Sequence, residues 1–583
     1  MNIQKKTFRC ESHLSIGMLV GLLQIMALPV LAQTAQVTGP PSGTDPNRDR
    51  FPQSLPTPQP IPSDKAAPIL SPTPQPATPT PNLPSTPISV QRIEVFGSTV
   101  LSESDIRDVT QQYEGRTVNF TELQKLADAI TQLYFKRGYI TSGAVLKAQT
   151  VTNGIVQIQV EEGIIEQIDI EGTQRVRPSY IRSRLELGIT KPLRVDKLED
   201  QLRLLRIDPL FSSVDASLKL GSKDGQSILQ VRVKEANPFT ASVNFDNYSP
   251  PSVGGERVGV ALGYRNLTGN ADELTGSYQH SLSGGLDALD FNYRIPINPM
   301  NGTVQLRIGA NWSKVTADAF KALNLKGNTN LYDLSYRQPL IRNSTEELAL
   351  SVGLSYQDGK TFIFNDIPFG FGIGPDADGN SKTRVFRFGQ DYTKRDTSGA
   401  WALRSQFNFG LGIFDATSNA APIPDGRFFS WVGQVQRVQQ LNASNLLILQ
   451  GDIQLTPDSL LPSQQFVIGG GQSLRGFRQN ARSGDNGLRI SAENRIAIVQ
   501  NASGSPIVQL APFLDLGTVW NKSDNPNPLP RQRFLAGGGL GLIWEPTPRM
   551  TLRLDGAVPF VNLDDRGSNI QDTSLYFSLG YRF

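Results

Sequence analysis

The sequence predicts a transmembrane antiparallel β-barrel of about sixteen strands, preceded by two small α/β modules and a disordered Pro-rich segment. Three observations predict it. From Pro238 to Phe583, apolar and polar residues alternate in segments of roughly ten, divided by Gly, Asn, Asp and Pro. Upstream, one order of elements (strand, helix, helix, strand, strand) occurs twice. Before that, 16 of the 48 residues from Pro40 to Pro87 are proline.

Composition narrows the chemistry. Charged residues make up only 19% of the 583, apolar residues 38%, and there are 53 Gly, a balance unusual for a cytosolic chain. The single Cys, Cys10, and one of the two His, His13, lie in the first 32 residues. Without that segment the chain has no Cys and one His, His280. Cysteine nucleophiles, Zn sites built on Cys or His pairs, and disulfide frameworks are then excluded. No metal or cofactor is expected. The formal net charge is +3; removing Lys5, Lys6, Arg9 and Glu11 leaves +1. Without a basic stripe, no nucleic-acid partner is expected.

Residues 1–32 have the plan of a secretory signal peptide. Lys5, Lys6 and Arg9 form a positive start, Leu14 to Leu31 is almost wholly apolar, and Val30-Leu31-Ala32 fits a small-residue cleavage site. No Leu-x-x-Cys box stands near that point, so no lipidation is expected. Residues 33–88 are expected to be a disordered spacer, because such a composition buries too little apolar surface to offset its ordering entropy. Polyproline II segments would make it semi-rigid.

The first module, 89–163, opens on a strand from Val90 to Phe96. Ser102 with Asp105 reads as a capping box ahead of a short helix. Asn119 and Glu122 open a second helix, whose apolar positions Leu123, Leu126, Ala127, Ile130, Leu133 and Tyr134 fall at three- and four-residue spacing. Gly138 ends it. Strands at Gly143 to Ala148 and Ile155 to Val160 follow, and Asn153-Gly154 is a strong turn signal. The second module, 164–236, repeats the order. Its strands are Ile164 to Ile170, Val214 to Leu220 and Ile228 to Val233. Its helices are Pro178 to Leu187 and the one carrying Val195, Leu198, Leu202 and Leu205.

The barrel, 237–583, holds sixteen candidate strands: 238–247, 257–264, 272–280, 287–295, 303–313, 330–337, 346–356, 383–392, 400–410, 428–438, 445–455, 488–498, 507–517, 534–544, 549–558 and 573–583. Leu289, Phe291 and Tyr293 alternate with Asp290, Asn292 and Arg294. Leu306, Ile308 and Trp312 alternate with Arg307, Gly309 and Asn311. An apolar outside and a polar inside, strand after strand, suit a barrel in lipid.

The matched first strands, Ile93-Glu94-Val95-Phe96-Gly97 and Ile168-Asp169-Ile170-Glu171-Gly172, and the element order around them resemble the POTRA domain, a periplasmic module of outer-membrane barrels. The final strand, with Leu575, Phe577, Leu579, Tyr581 and Phe583 on one face, resembles the recognition signal of bacterial outer-membrane barrels. A long segment, 461–487, contains Gly469-Gly470-Gly471-Gln472-Ser473-Leu474-Arg475-Gly476-Phe477. Segments this long without structure are usually functional or disordered. Leu474-Arg475-Gly476-Phe477 matches the [VL]RG[FY] motif of the POTRA-barrel translocase and insertase superfamily. Phe513-x-Asp515-x-Gly517 matches its second motif.

In that superfamily the loop folds back into the barrel and its Arg pairs with the strand Asp. The resemblance therefore implies that Arg475 pairs with Asp515. Strand alternation independently puts Asp515 in the lumen, since a carboxylate facing lipid is expensive. Glu493, set by its parity against Leu488, Ile490, Ala492 and Ile496, is expected to point inward as a second carboxylate near Arg475.

Two POTRA-like modules, sixteen strands and a Pro-rich extension resemble the two-partner secretion transporters (TpsB; haemolysin and filamentous-adhesin exporters). The resemblance implies export of an unfolded partner protein from the periplasm, without ATP, with the modules binding cargo. Outer-membrane lipid and the barrel-assembly machinery are the other implied partners. The alternative is a barrel-assembly or protein-import insertase of the same superfamily. Members often carry a pore-plugging helix, yet no amphipathic helix is legible between Gln33 and Ser89. Catalysis is not expected: His280 stands beside Ser281 in a strand end, with no hydrolase motif around it.

Overall fold

The computed structural model describes residues 70–72 and 87–583. The expected signal segment, most of the expected spacer and the region searched for a plug helix lie outside the described residues. Within the spacer, Leu70–Pro72 (β1) forms a short strand.

The first module comprises β2 (Ile88–Val90), β3 (Arg92–Phe96), α1 (Glu103–Thr110), β4 (Arg116–Val118), α2 (Phe120–Lys136), β5 (Gly143–Val145) and β6 (Ile155–Glu161). Both expected caps form. Ser102 Oγ accepts from Asp105 N–H, and Asn119 Oδ1 accepts from Glu122 N–H at 2.9 Å. The stripe Leu123, Leu126, Ala127, Ile130 and Tyr134 is fully buried against the sheet. Two expected strands are revised. The first breaks at Gln91, whose N–H turns aside to Gly154 O, so β2 pairs with β4 and β3 with β6. The other ends at Val145, after which no partner strand continues.

The second module comprises β7 (Ile164–Glu171), α3 (Pro178–Glu186), α4 (Val195–Arg206), β8 (Phe211–Leu220) and β9 (Gln226–Glu235). The two sheets share one plan. The first strand runs parallel to the last, β3 to β6 and β7 to β9, and the intervening strand is antiparallel at the edge, β5 or β8. In the second module β1 lies parallel on the β8 edge. The glycine closing each matched first-strand motif has a specific job. Gly97 and Gly172 sit at φ +86° and +89°, and a Cβ on either would strike the carbonyl of Val160 or Val233 in the last strand. Only glycine allows that turn and that approach.

The second module rests against turns of the barrel. Arg177 N–H donates to Gly269 O at 3.1 Å, Arg184 donates to Asn301 Oδ1 at 3.2 Å, and Ser344 Oγ donates to Asp200 at 2.8 Å.

Sixteen antiparallel strands close the barrel, the first (Phe239–Asp246) pairing with the last (Leu575–Arg582), so no sheet edge is left in the membrane. Leu289, Phe291, Leu306, Ile308, Val352 and Leu354 are exposed on the outer face. Arg307 and Asp290 are buried inside, 2.6 Å apart. Three strands run longer than their apolar alternation. The sixth (Lys326–Arg342), seventh (Glu346–Ile363) and eighth (Asn380–Arg395) have 17, 18 and 16 residues. About 9–11 residues span the bilayer. The extra pairs, such as Asn328 with Lys360 and Gly359 with Ser381, rise beyond the apolar belt at the end away from the modules. Polar on both faces, they carry no alternation.

Candidate functional site

Loop 461–487 begins where the eleventh strand (Asn445–Leu455) has ended and leads into the twelfth (Asn486–Gln500). It is not structureless. Phe466–Ile468 and Arg482–Gly484 pair as a narrow hairpin, which carries the tip 469–481 into the lumen. The tip turns on Gly469, Gly470 and Gly476, all at positive φ.

Arg475 is held at the lumen wall by two carboxylates. Its Nε donates to Asp515 Oδ2 at 2.7 Å and its Nη2 to Asp515 Oδ1 at 2.9 Å. Its backbone N–H adds a third bond to Asp515, at 3.0 Å, and Nη1 reaches Glu493 Oε2 at 2.6 Å. The guanidinium lies 3.5 Å over the centre of the Phe513 ring, a cation–π contact. Ser491 Oγ donates to Asp515 Oδ1 at 2.6 Å. Glu493 also accepts from Arg553 at 2.6 Å and Arg495 at 2.8 Å, and Arg553 turns to Asp555 at 2.7 Å. Three guanidinium groups thus meet three carboxylates, so the cluster is locally neutral. That matters because Asp515 and Asp555 are fully buried, and an unbalanced charge there would be costly.

The remaining motif residues are placed by packing. Leu474 and Phe477 lie buried in an apolar cluster with Phe466, Ile468, Val519 and Leu535. Gly517 makes room for Leu474: a Cβ there would come within 2.9 Å of Leu474 Cδ1. Gly476 N–H donates to the Tyr576 hydroxyl at 2.9 Å, which donates to Phe477 O at 2.6 Å. Outside the lumen, Arg482 donates twice to Asp565 in the last loop, and those bonds hold the Asp565 carboxyl below the usual carboxylate range.

The structure therefore brings together Leu474, Arg475, Gly476, Phe477, Phe513, Asp515, Gly517 and Glu493. The C-terminal aromatic residues belong elsewhere. Phe577 packs on Phe245 at the closing seam, with ring centres 5.1 Å apart, and Tyr581 and Phe583 are exposed on the outer face. Sequence reasoning missed Tyr576, Arg553, Ser491 and Arg495. A signal existed for all four: Ser491 and Arg495 share the inward parity of Glu493, and Tyr576 and Arg553 stand at inward parity in strands whose alternation is clear. His280 and Ser281 point to opposite faces. Ser281 is buried and donates to Val253 O, whereas His280 is part-exposed beside Asp287.

Comparison with known proteins follows the same residues. Residues 225–543 match the family described as haemolysin secretion/activation protein ShlB/FhaC/HecB. The chain belongs to that family. Residues 88–163 match the ShlB-type POTRA domain. The outer membrane transporter CdiB of Escherichia coli is 25% identical over 454 residues, covering 75% of this chain and 74% of that one. The heme/hemopexin transporter protein HuxB of Haemophilus influenzae (strain 86-028NP) is 24% identical over 399 residues, covering 67% and 68%. The solved structure of CdiB from Escherichia coli superposes with a TM-score of 0.67 at 23% identity, covering 89% of this chain and 94% of that one.

As a member of the family, the chain is an outer-membrane transporter of two-partner secretion, acting with an exported partner protein and holding its POTRA modules in the periplasm. The modules thus mark the periplasmic side, and loop 461–487 enters from the extracellular side.

Tyr576→Phe keeps the ring in place but removes the hydroxyl between Gly476 and Phe477. Leaving those two backbone groups unsatisfied costs about 1–3 kcal/mol. Export measured by immunoblot of the medium is expected to fall severalfold, with the barrel still migrating as folded on an unheated gel. Unchanged export would show that the hydroxyl adds nothing to the hold on the loop.

Proposed function

We propose that the partner protein crosses the sixteen-strand lumen unfolded, from periplasm to cell surface or medium, without ATP, and that loop 461–487 must yield to let it pass. One observation carries this reading: Arg475, on a loop from the far side, is bound to Asp515 and Glu493 on the lumen wall. A loop so placed obstructs the lumen, and its bonds are of a kind that can be made and broken without chemistry.

Cargo recognition is assigned to the POTRA modules. Extended polypeptide adds readily to a free sheet edge, main chain to main chain. The family membership supports export over the insertase alternative. The barrel itself is given no catalytic role, since Ser281 and His280 face apart, and no cofactor or nucleic acid enters the reading. Phe577, Tyr581 and Phe583, on the outer face, suit recognition by the barrel-assembly machinery and then contact with lipid.

Deleting Gly469 to Asp485 tests the reading. A sixteen-strand barrel is wide enough for an aqueous channel. Single-channel conductance in planar bilayers is expected to rise and secretion to stop. Unchanged conductance would mean that the loop does not obstruct the lumen.

A further inference from the structure

Loop 461–487 is held at a second place, far from the motif at its tip. Asp485, at its end, is fully buried. Its Oδ1 accepts from Leu460 N–H at 2.9 Å and from Gln465 Nε2 at 3.4 Å. Its Oδ2 accepts from Lys522 N–H at 3.0 Å and from Asn525 Nδ2 at 2.8 Å. Asp485 N–H donates to Asn521 Oδ1, and Asp485 O accepts from Gln454 Nε2 at 2.9 Å. Every donor to the carboxylate is neutral. One side chain thus ties the start of the loop to its end, and ties both to loop 521–533. From there Asn527 exchanges two hydrogen bonds with the backbone of Ile373 in loop 364–379.

A buried carboxylate without a counter-cation is costly, and only several well-aimed donors make it tolerable. The tip cluster does not require it, because Arg475 and its partners balance among themselves. We propose that Asp485 is a positioning residue for export: it fixes the root of loop 461–487 against loop 521–533, so that the tip can leave the wall while the root stays. The inference rests on the loop's yielding during export.

The chemistry of the site offers an isosteric test. N–H donors occupy both carboxylate oxygens, so an amide must turn its own NH2 toward N–H groups on one side. Asp485→Asn therefore breaks the root almost as fully as Asp485→Ala. The full-length protein, with Cys10→Ser, would carry one reporter cysteine, Ser463→Cys near the root or Ser473→Cys at the tip. Intact cells would be treated with a membrane-impermeant maleimide, and folding checked by unheated gel migration.

In Asp485→Asn, labelling at the root is expected to rise while the tip stays protected by Arg475. Export should fall by about tenfold, since each oxygen pair lost strands buried donors. Arg475→Ala should give the reverse pattern, with the tip exposed and the root protected. Wild-type labelling and export in Asp485→Asn would overturn the proposal. So would equal exposure of both positions, which marks general loosening, or a freed root with export intact. The loop deletion described above tests the obstruction reading separately, through conductance alone.

Discussion

Asp515→Ala is expected to stop export while the barrel still inserts. The substitution removes the acceptor of three bonds from Arg475 and of one from Ser491. It leaves a buried guanidinium with Glu493 as its remaining carboxylate. Breaking such a pair from one side typically costs about 3–5 kcal/mol, enough to shift the loop's position by a hundredfold or more. Arg475→Lys should fail nearly as badly. The guanidinium makes two parallel bonds to Asp515, a third to Glu493 and a face-on contact with Phe513, and an ammonium cannot do all four at once. Exchanging the charges should recover little, because an Asp at 475 would face Glu493. Immunoblots of cells and medium measure export, and gel migration without heating measures insertion. Normal export by Asp515→Ala would remove the pair from the mechanism.

Gly537→Ala should reproduce much of that loss with a single methyl group. Gly537 lies directly across the ladder from Asp515. A Cβ there would fall on the Arg475 carbonyl oxygen. Backbone cannot swing aside as a flexible side chain can, so either the loop or the fourteenth strand (Phe534–Thr547) must shift. Overpacking of this kind costs typically about 1–3 kcal/mol, and export is expected to fall by roughly ten- to a hundredfold. Gly556, in the fifteenth strand (Met550–Pro559), is the control: a Cβ there meets nothing within 4 Å, and Gly556→Ala should export normally. Equal behaviour of the two variants would contradict the steric argument.

The barrel was legible because lipid imposes a period of two on every spanning strand, and Leu306, Ile308 and Trp312 keep to it without a break. The upper parts of the sixth to eighth strands were not, because polar residues such as Asn328, Asp358 and Lys382 occupy them in place of an apolar stripe and obey no alternation. The helices of the first module announced themselves through Ser102 with Asp105 and Asn119 with Glu122, whose side chains satisfy donors that the helix start leaves free. Glycines were visible as letters but not as reasons. Gly97 and Gly172 read as strand ends, and their closeness to Val160 and Val233 follows only once the first and last strands lie side by side. At the site, parity placed Asp515 and Glu493, whereas Tyr576 and Arg553 sit 101 and 78 positions beyond Arg475 in sequence and become its neighbours only when the barrel closes.

Arg475, Arg495 and Arg553 cancel Glu493, Asp515 and Asp555 in one cluster whose three carboxylates are all buried. Salt weakens attractions that reach through water and touches shielded ones far less. The bonds that Arg475 makes at the lumen wall should therefore change little with the medium outside the cell, dilute or briny. On the proposed reading, loosening them takes something that enters the lumen and competes for the same bonds, a part that falls to the passenger itself.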